Sequence, residues 1–191
     1  TKVRPVADCR LVNQRMEGAS YAGENVSNIL TEVSLAANAI SETASNDCDI
    51  AMSCLDISRA FYRLRLCNSS GCSTRLLLRT CNKWFSCGRL IFGLAIGPGA
   101  LEAFVMRLLA LAEKAGVLEG VYAWAYLDDL TFVGEADKVR RATAYVRTAA
   151  TLHGLPIPDS KVVHLCSHGS SPSRSRHLGI FWNVVDQKIV A

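Results

Sequence analysis

Between Gly23 and Ala44 the apolar residues recur at helical spacing, with Val26, Ile29, Leu30, Val33, Ala37 and Ile40 on one side, so this stretch predicts an amphipathic helix. The opening "VRPVADCRLV" alternates instead, as a strand does. "SNDCD" breaks the pattern, and "IAMSCLDI" follows as a short continuous apolar run, expected of a buried strand, ending at Asp56. "FYRLRLC", "STRLLLRTC" and "KWFSCGRLIFG" read as three more strands, the first two joined by a hairpin turn at "NSSG". Pro98 stands where a first helical turn tolerates it and Gly116 where a helix stops, so Gly97 to Gly116 predicts a helix. From Asp137 to His153, Val139, Ala142, Val146, Ala149 and Leu152 share one side of another helix, closed by Gly154. Two strands flank the aspartate pair in "AWAYLDDLTFV", and "SKVVHLC" with "RHLGIFWNVV" around a Ser-rich turn predicts a last hairpin. The expected fold class is α+β: an antiparallel sheet with helices packed on one face, and the hairpins before Pro98 as a separate lobe.

With 191 residues, half of them apolar, the chain can bury the core of one sizeable domain or two small lobes. It contains no run of about eighteen uncharged apolar residues and no signal-peptide plan at "TKVRPVADCR". The expectation is a soluble, intracellular protein of the cytoplasm or nucleus, without a membrane partner, cut from something longer. Eight cysteines without CxxC pairing sit mostly in apolar runs, which fits reduced thiols packed as small hydrophobes. In "HLCSH", His164, Cys166 and His168 would share a strand face, but zinc would need a fourth ligand placed by the fold. The net charge of +4 is unevenly spread: Arg59, Arg63, Arg65, Arg75, Arg79, Lys83 and Arg89 fall between Ile57 and Leu101 with no Asp or Glu among them. Such a cluster attracts polyanions, although a solvated polar face would have the same composition.

Neighbouring residues on a strand point to opposite faces, so Asp128 and Asp129 serve one site only if the chain turns sharply there. A lone Asp pair is more often simply a turn. Asp56 strengthens the case, because an unpaired carboxylate at the end of an apolar strand costs several kcal/mol if buried. Three converging carboxylates raise one another's pKa and are tolerated when divalent cations neutralise them. Oxygen-only ligation fits magnesium or manganese. Two such ions about 4 Å apart clamp the attacking and leaving oxygens of a phosphoryl displacement, chemistry that suits nucleotidyl transfer.

"AYLDDL" resembles the YxDD signature of reverse transcriptases. "LDISRAFYRLRL" resembles that family's first catalytic motif, "FGLAIGPGALEAF" its second, "GLPIPDSK" its fourth, "HLGIFWN" its primer grip and "TKVRPVADCRLVN" its fingers strand. The matches run in the family's order and cover most of the chain except Glu17 to Asp49. Their form is similar to long-terminal-repeat, DIRS-like and retroviral polymerases. The resemblance implies a right-hand polymerase palm with a fingers lobe and no thumb: fingers over 1–35 and 64–96, palm over 36–63 and 97–191, ending in the primer grip. It implies an RNA- and DNA-templated DNA polymerase of a retrotransposon, which adds dNTPs to the 3′-hydroxyl of a DNA or RNA primer using two Mg2+ or Mn2+ ions. Thumb and ribonuclease H domains would belong to a longer polyprotein.

By the same resemblance Asp56, Asp128 and Asp129 are the catalytic metal ligands, joined by the carbonyl of Ile57, and Lys161 protonates the pyrophosphate leaving group. Arg4, the amides of Arg59 and Ala60, the sugar-sensing Phe61, and Phe92 with Gly93 would meet the incoming nucleotide. Pro98, Tyr126 and Leu127 would lie along template and primer, and His177, Leu178 and Gly179 would position the primer backbone. Strand alternation in "FYRLRLC" sends Phe61 and Tyr62 to opposite sides, leaving only one at the site. Ile91 replaces the proline usual before "FG", and the segment before Asp56 is longer than in most retroviral relatives. Two other readings compete. An RNA-dependent RNA polymerase would share the palm but usually carries a GDD turn, and a domesticated retroelement fragment would only bind nucleic acid.

Overall fold

The computed structural model describes residues 7–16, 23, 26–43, 49–66, 68–69, 72–73, 76–167, 174–185 and 188–190. Arg4, Arg75, His168, most of "SNDCD", the tip of the "NSSG" turn and the Ser-rich turn at 168–173 lie outside them. In chain order the elements are α1 (Arg10–Asn13), α2 (Val26–Thr43), β1 (Ile50–Asp56), α3 (Ala60–Arg63), β2 (Asn68–Ser69), β3 (Cys72–Ser73), β4 (Leu76–Thr80), β5 (Lys83–Cys87) and α4 (Gly97–Lys114). They continue with β6 (Val121–Tyr126), β7 (Asp129–Glu135), α5 (Ala136–Leu152), a 3-10 turn (Asp159–Lys161), β8 (Val162–Cys166), β9 (Arg174–His177), β10 (Ile180–Val185) and β11 (Lys188–Val190). The chain divides into two compact units, one of Thr1–Gly23 with Arg59–Ala103, the other of Glu24–Ser58 with Phe104–Ala191. The fold is α+β.

The second unit is built on a four-stranded antiparallel sheet in the order β6-β7-β1-β8. β1 is central and buried on both faces, which is why its sequence is continuously apolar rather than alternating. On one face Ile50, Met52 and Cys54 of β1 join Val133 of β7 and Leu165 of β8. This face is covered by Ile29, Val33 and Ala37 of α2 and by Trp182 and Ile189 from a small antiparallel sheet, β11-β10-β9. The helical spacing seen between Val26 and Ile40 is thus the stripe that α2 buries. The opposite face carries α5, whose Val139, Ala142 and Val146 are fully buried. α5 in turn meets the later part of α4, where Tyr145 donates a 3.4 Å hydrogen bond to the carbonyl of Leu111. Gly134 is required on this face, because a Cβ there would lie 2.8 Å from the Gly120 carbonyl oxygen and 3.4 Å from a methyl of Val139.

The first unit holds α1, α3, the two small hairpins and the start of α4. β4 and β5 form a hairpin turned by Cys81 and Asn82, both at positive φ (47° and 57°). Arg65 and Arg89 make an isolated bridge that links the ends of these segments.

Three expectations need correction. Arg10–Asn13 of the opening run is a helical turn rather than strand: Asp8 accepts from the Arg10 amide at 3.2 Å and from its guanidinium, a local bond that favours a turn. The start of "FYRLRLC" is also helical, since α3 follows a left-handed Arg59 (φ 57°). Successive side chains on a helix diverge by only about 100°, so Phe61 and Tyr62 reach the same partner instead of opposite sides. Finally, "SKVVHLC" does not pair with "RHLGIFWNVV". β8 pairs with β1, and the hairpin lies within the second segment, β9 to β10, turned by Leu178 and Gly179 (φ 50° and 84°). Two central residues at positive φ match the twist of a tight hairpin, a signal carried by "LG" that the longer Ser-rich stretch obscured.

Candidate active site

Asp56, the last residue of β1, lies directly opposite Asp129, the first residue of β7, in the antiparallel register. Side chains so paired share a face, with Cβ atoms about 5 Å apart. Tyr126 also pairs with Asp129, across the β6–β7 hairpin, which leaves Leu127 and Asp128 as a two-residue turn. Leu127 is held at φ 53°, a conformation that costs an L-residue on the order of 1 kcal/mol and that clusters at functional turns. The turn is tied to the other strand, because the Ile57 amide donates to the Asp128 carbonyl at 2.9 Å. The sharp turn demanded by two adjacent aspartates is therefore present, and it brings Asp56 beside them.

The electrostatics follow from this geometry. Burial pushes the Asp129 carboxyl up to about 7, the Asp128 and Asp56 charges push it the same way, and Lys161 opposes them. Lys161, at the end of the 3-10 turn, places its ammonium against the Asp56 carboxylate. Lys161 thus pairs with Asp56 and its charge also acts on Asp129. The carboxylate donors are all hard oxygens and repel one another, which fits a divalent cation of the magnesium kind. Among the described residues no three His, Cys, Asp or Glu side chains already stand as a metal-sized cluster, and Asp56 is turned to Lys161.

Beneath the carboxylates, two residues along β7 from Asp129, the buried Thr131 hydroxyl bonds Nε2 of His177 at 2.8 Å. Burial lowers the His177 pKa to about 4, against the opposing pull of Asp56, so the ring is neutral. His177, expected near the primer, ties the β9–β10 hairpin to the strand that starts with Asp129. Thr131 had no sequence signal beyond its place in an apolar strand. Leu178 and Gly179 form the turn itself. The half-buried His164 pairs through Nδ1 with the buried Ser53 hydroxyl at 2.5 Å.

The other expected residues belong to the first unit. Phe61 is buried (6% exposed) and its ring lies 4.5 Å from that of Phe92, which Tyr62 also meets edge-on at 5.6 Å. Phe61 also lies over Gly97, where a Cβ would approach its ring to 3.1 Å. Gly93 needs its freedom, at φ 101° and with the Ala7 carbonyl 3.0 Å from where a Cβ would be. Asn13 clamps this loop from both sides, donating to the Gly93 carbonyl at 2.7 Å and accepting from the Ala95 amide at 2.9 Å. Asn13 ends "TKVRPVADCRLVN" and carries no periodicity or motif signal of its own. Arg59 is exposed, Ala60 is buried, and Pro98 sits in the first turn of α4.

The arrangement has recognisable counterparts. No curated protein matches the sequence. Among solved structures the chain is similar to the apo telomerase of Candida tropicalis truncated from its C-terminal domain, with a TM-score of 0.63 at 10% identity. That likeness, which shows the fold, covers 88% of this chain and 40% of the telomerase chain, so this chain spans less than half the length of that one. The family described as "Reverse transcriptase (RNA-dependent DNA polymerase)" matches residues 1–181. With nearly its whole length so matched, the chain belongs to the reverse transcriptase family.

Proposed function

We propose that this chain is the catalytic portion of a retrotransposon reverse transcriptase, extending a DNA or RNA primer on RNA and DNA templates from dNTPs. The carrying observation is the register that sets Asp56 opposite Asp129, with Asp128 in the adjoining turn. In this reading the second unit is the palm and the first the fingers. Asp56, Asp128 and Asp129, with the Ile57 carbonyl, would hold two Mg2+ or Mn2+ ions, and Asp56 would leave Lys161 to do so. When bound, such ions supply charge neutralisation at the carboxylates and activation of the primer hydroxyl. Lys161 Nζ, once released, is a charged donor suited to protonating a departing pyrophosphate oxygen. The nucleotide-facing roles of Arg4, Arg59, Ala60, Phe61, Phe92 and Gly93, and the primer-facing roles of Tyr126 and Leu127, rest on the motifs that name them.

The β4–β5 hairpin supports a nucleic-acid partner. Trp84 (65% exposed), Phe85 (50%) and Leu77 (67%) stand in water beside the exposed Lys83 and Arg79, whose guanidinium lies 5.9 Å from the Trp84 ring centre. Exposed aromatics among cations are how bases are stacked without sequence preference.

The test is primer extension on RNA and DNA templates, with dNTPs or rNTPs, comparing the wild type with Asp128→Asn and Phe61→Ala. Extension with dNTPs that Asp128→Asn abolishes is the expected result. Extension only with rNTPs would move the reading to an RNA polymerase, and extension that survives Asp128→Asn would end it.

A further inference from the structure

The segment "LPIPDSK", which delivers Lys161 to Asp56, is fixed at several points. Leu155 and Ile157 are buried (1% and 4% exposed), the Leu155 amide donates to the Ala150 carbonyl at 2.8 Å, and the Ser58 amide donates to the Pro156 carbonyl at 3.2 Å. The Lys161 amide closes the 3-10 turn on the Pro158 carbonyl at 2.9 Å. Between these points one side chain reaches across from α5. Nε and Nη2 of Arg147 each donate to the Ile157 carbonyl at 3.3 Å, and Nη2 also pairs with the Asp159 carboxylate. Its fork therefore grips the backbone just before Pro158 and the side chain just after it.

From this we infer that Arg147 is a positioning residue: by bridging Ile157 and Asp159 it sets the turn that holds the Lys161 ammonium on Asp56. The Asp159 pairing alone would not do this. Asp159 is 93% exposed, and such ion pairs contribute little in water. The grip lies in the planar guanidinium, which meets two acceptors at once as a lysine ammonium on a flexible stem does not. Arg147 itself is one-third exposed and touches neither Asp56 nor Lys161 through any of these bonds. Its catalytic consequence, placement of the leaving-group proton donor, rests on the function proposed above. The positioning itself does not.

The test reads Lys161 directly. Wild type, Arg147→Met, Arg147→Lys and Asp56→Asn are acylated with an acetyl N-hydroxysuccinimide ester at one fixed pH, and modification is followed lysine by lysine by peptide mass spectrometry. Lys161 is expected to react slowly in the wild type and several-fold faster in Asp56→Asn. Arg147→Met should approach that faster rate, with Lys114 and Lys138 unchanged, and adding it to Asp56→Asn should bring no further gain. Arg147→Lys should also release Lys161, since it keeps the charge and loses the fork. It serves as the informative variant should Arg147→Met not fold. An unchanged Lys161 rate in a folded Arg147 variant overturns the inference, as does an equal rise at every lysine, which would mark a merely structural residue. A wild type that extends no primer would count against the proposed function and leave this labelling pattern standing.

Discussion

Asp56 and Asp129 face each other across the β1–β7 pair, and the charges of Asp56 and Asp128 disfavour a third charge on Asp129, which Lys161 on Asp56 partly offsets. For Asp129 the folded pKa, about 7, stands above its ordinary 3.8. The protonated form is thus favoured by folding. Its contribution is fully present below about pH 4 and is lost as pH rises through 7, a penalty on the order of 4 kcal/mol for the charged form before any counter-ion. Asp129→Asn is therefore expected to raise the melting temperature in metal-free buffer at pH 8 and to have little effect at pH 4. Equal shifts at both pH values would show that Asp129 carries no such penalty.

Divalent cations should relieve the same strain. Ions that bind only the folded state stabilise it by mass action, by about 2.7 kcal/mol at one hundred times Kd. Magnesium or manganese is expected to raise the melting temperature of the wild type, with a smaller gain in Asp128→Asn. A wild-type melting curve that millimolar metal leaves in place would contradict the proposed ligand set.

The Thr131–His177 bond predicts a second, opposite pH dependence. His177 is buried neutral with its pKa lowered to about 4 from the usual 6.5. Stability from this group is full above pH 6.5 and falls as pH drops toward 4, where the unfolded chain takes up a proton that the folded one refuses. Thr131→Val should cost roughly 1–3 kcal/mol by leaving the imidazole nitrogen without its partner. Denaturant unfolding at pH 7 measures that cost, and a neutral result would mean that the bond contributes nothing.

For the β4–β5 hairpin, Trp84→Ala should weaken binding of single-stranded oligonucleotides by about 1–3 kcal/mol without sequence preference, and Lys83→Ala should chiefly lower the salt dependence. Fluorescence anisotropy at two salt concentrations separates these effects. Unaltered affinity in Trp84→Ala would exclude stacking on this ring.

Local patterns in the chain were enough for much of this. The stripe on α2, the burial of β1, the bounds of α4 and α5, and the turn at Leu127 and Asp128 all follow from periodicity and from residues whose backbone preferences are strong. The motifs likewise single out Asp56, Asp128, Asp129 and Lys161 from the sequence alone. Alternation fails in short segments where a local feature outweighs it: the Asp8–Arg10 bonds before Arg10–Asn13 and the left-handed Arg59 before Ala60–Arg63.

Only the folded chain decided which distant groups meet. β8 turned to β1 instead of β9 because the centre of the sheet offers more apolar surface than a separate hairpin, and that choice carried Lys161 to Asp56. Thr131 with His177, Asn13 with Gly93, and Arg147 with Ile157 are likewise pairings of a polar group with a partner far along the chain. Periodicity reports which face a residue occupies. It does not report which remote donor or acceptor will satisfy that residue once burial removes water.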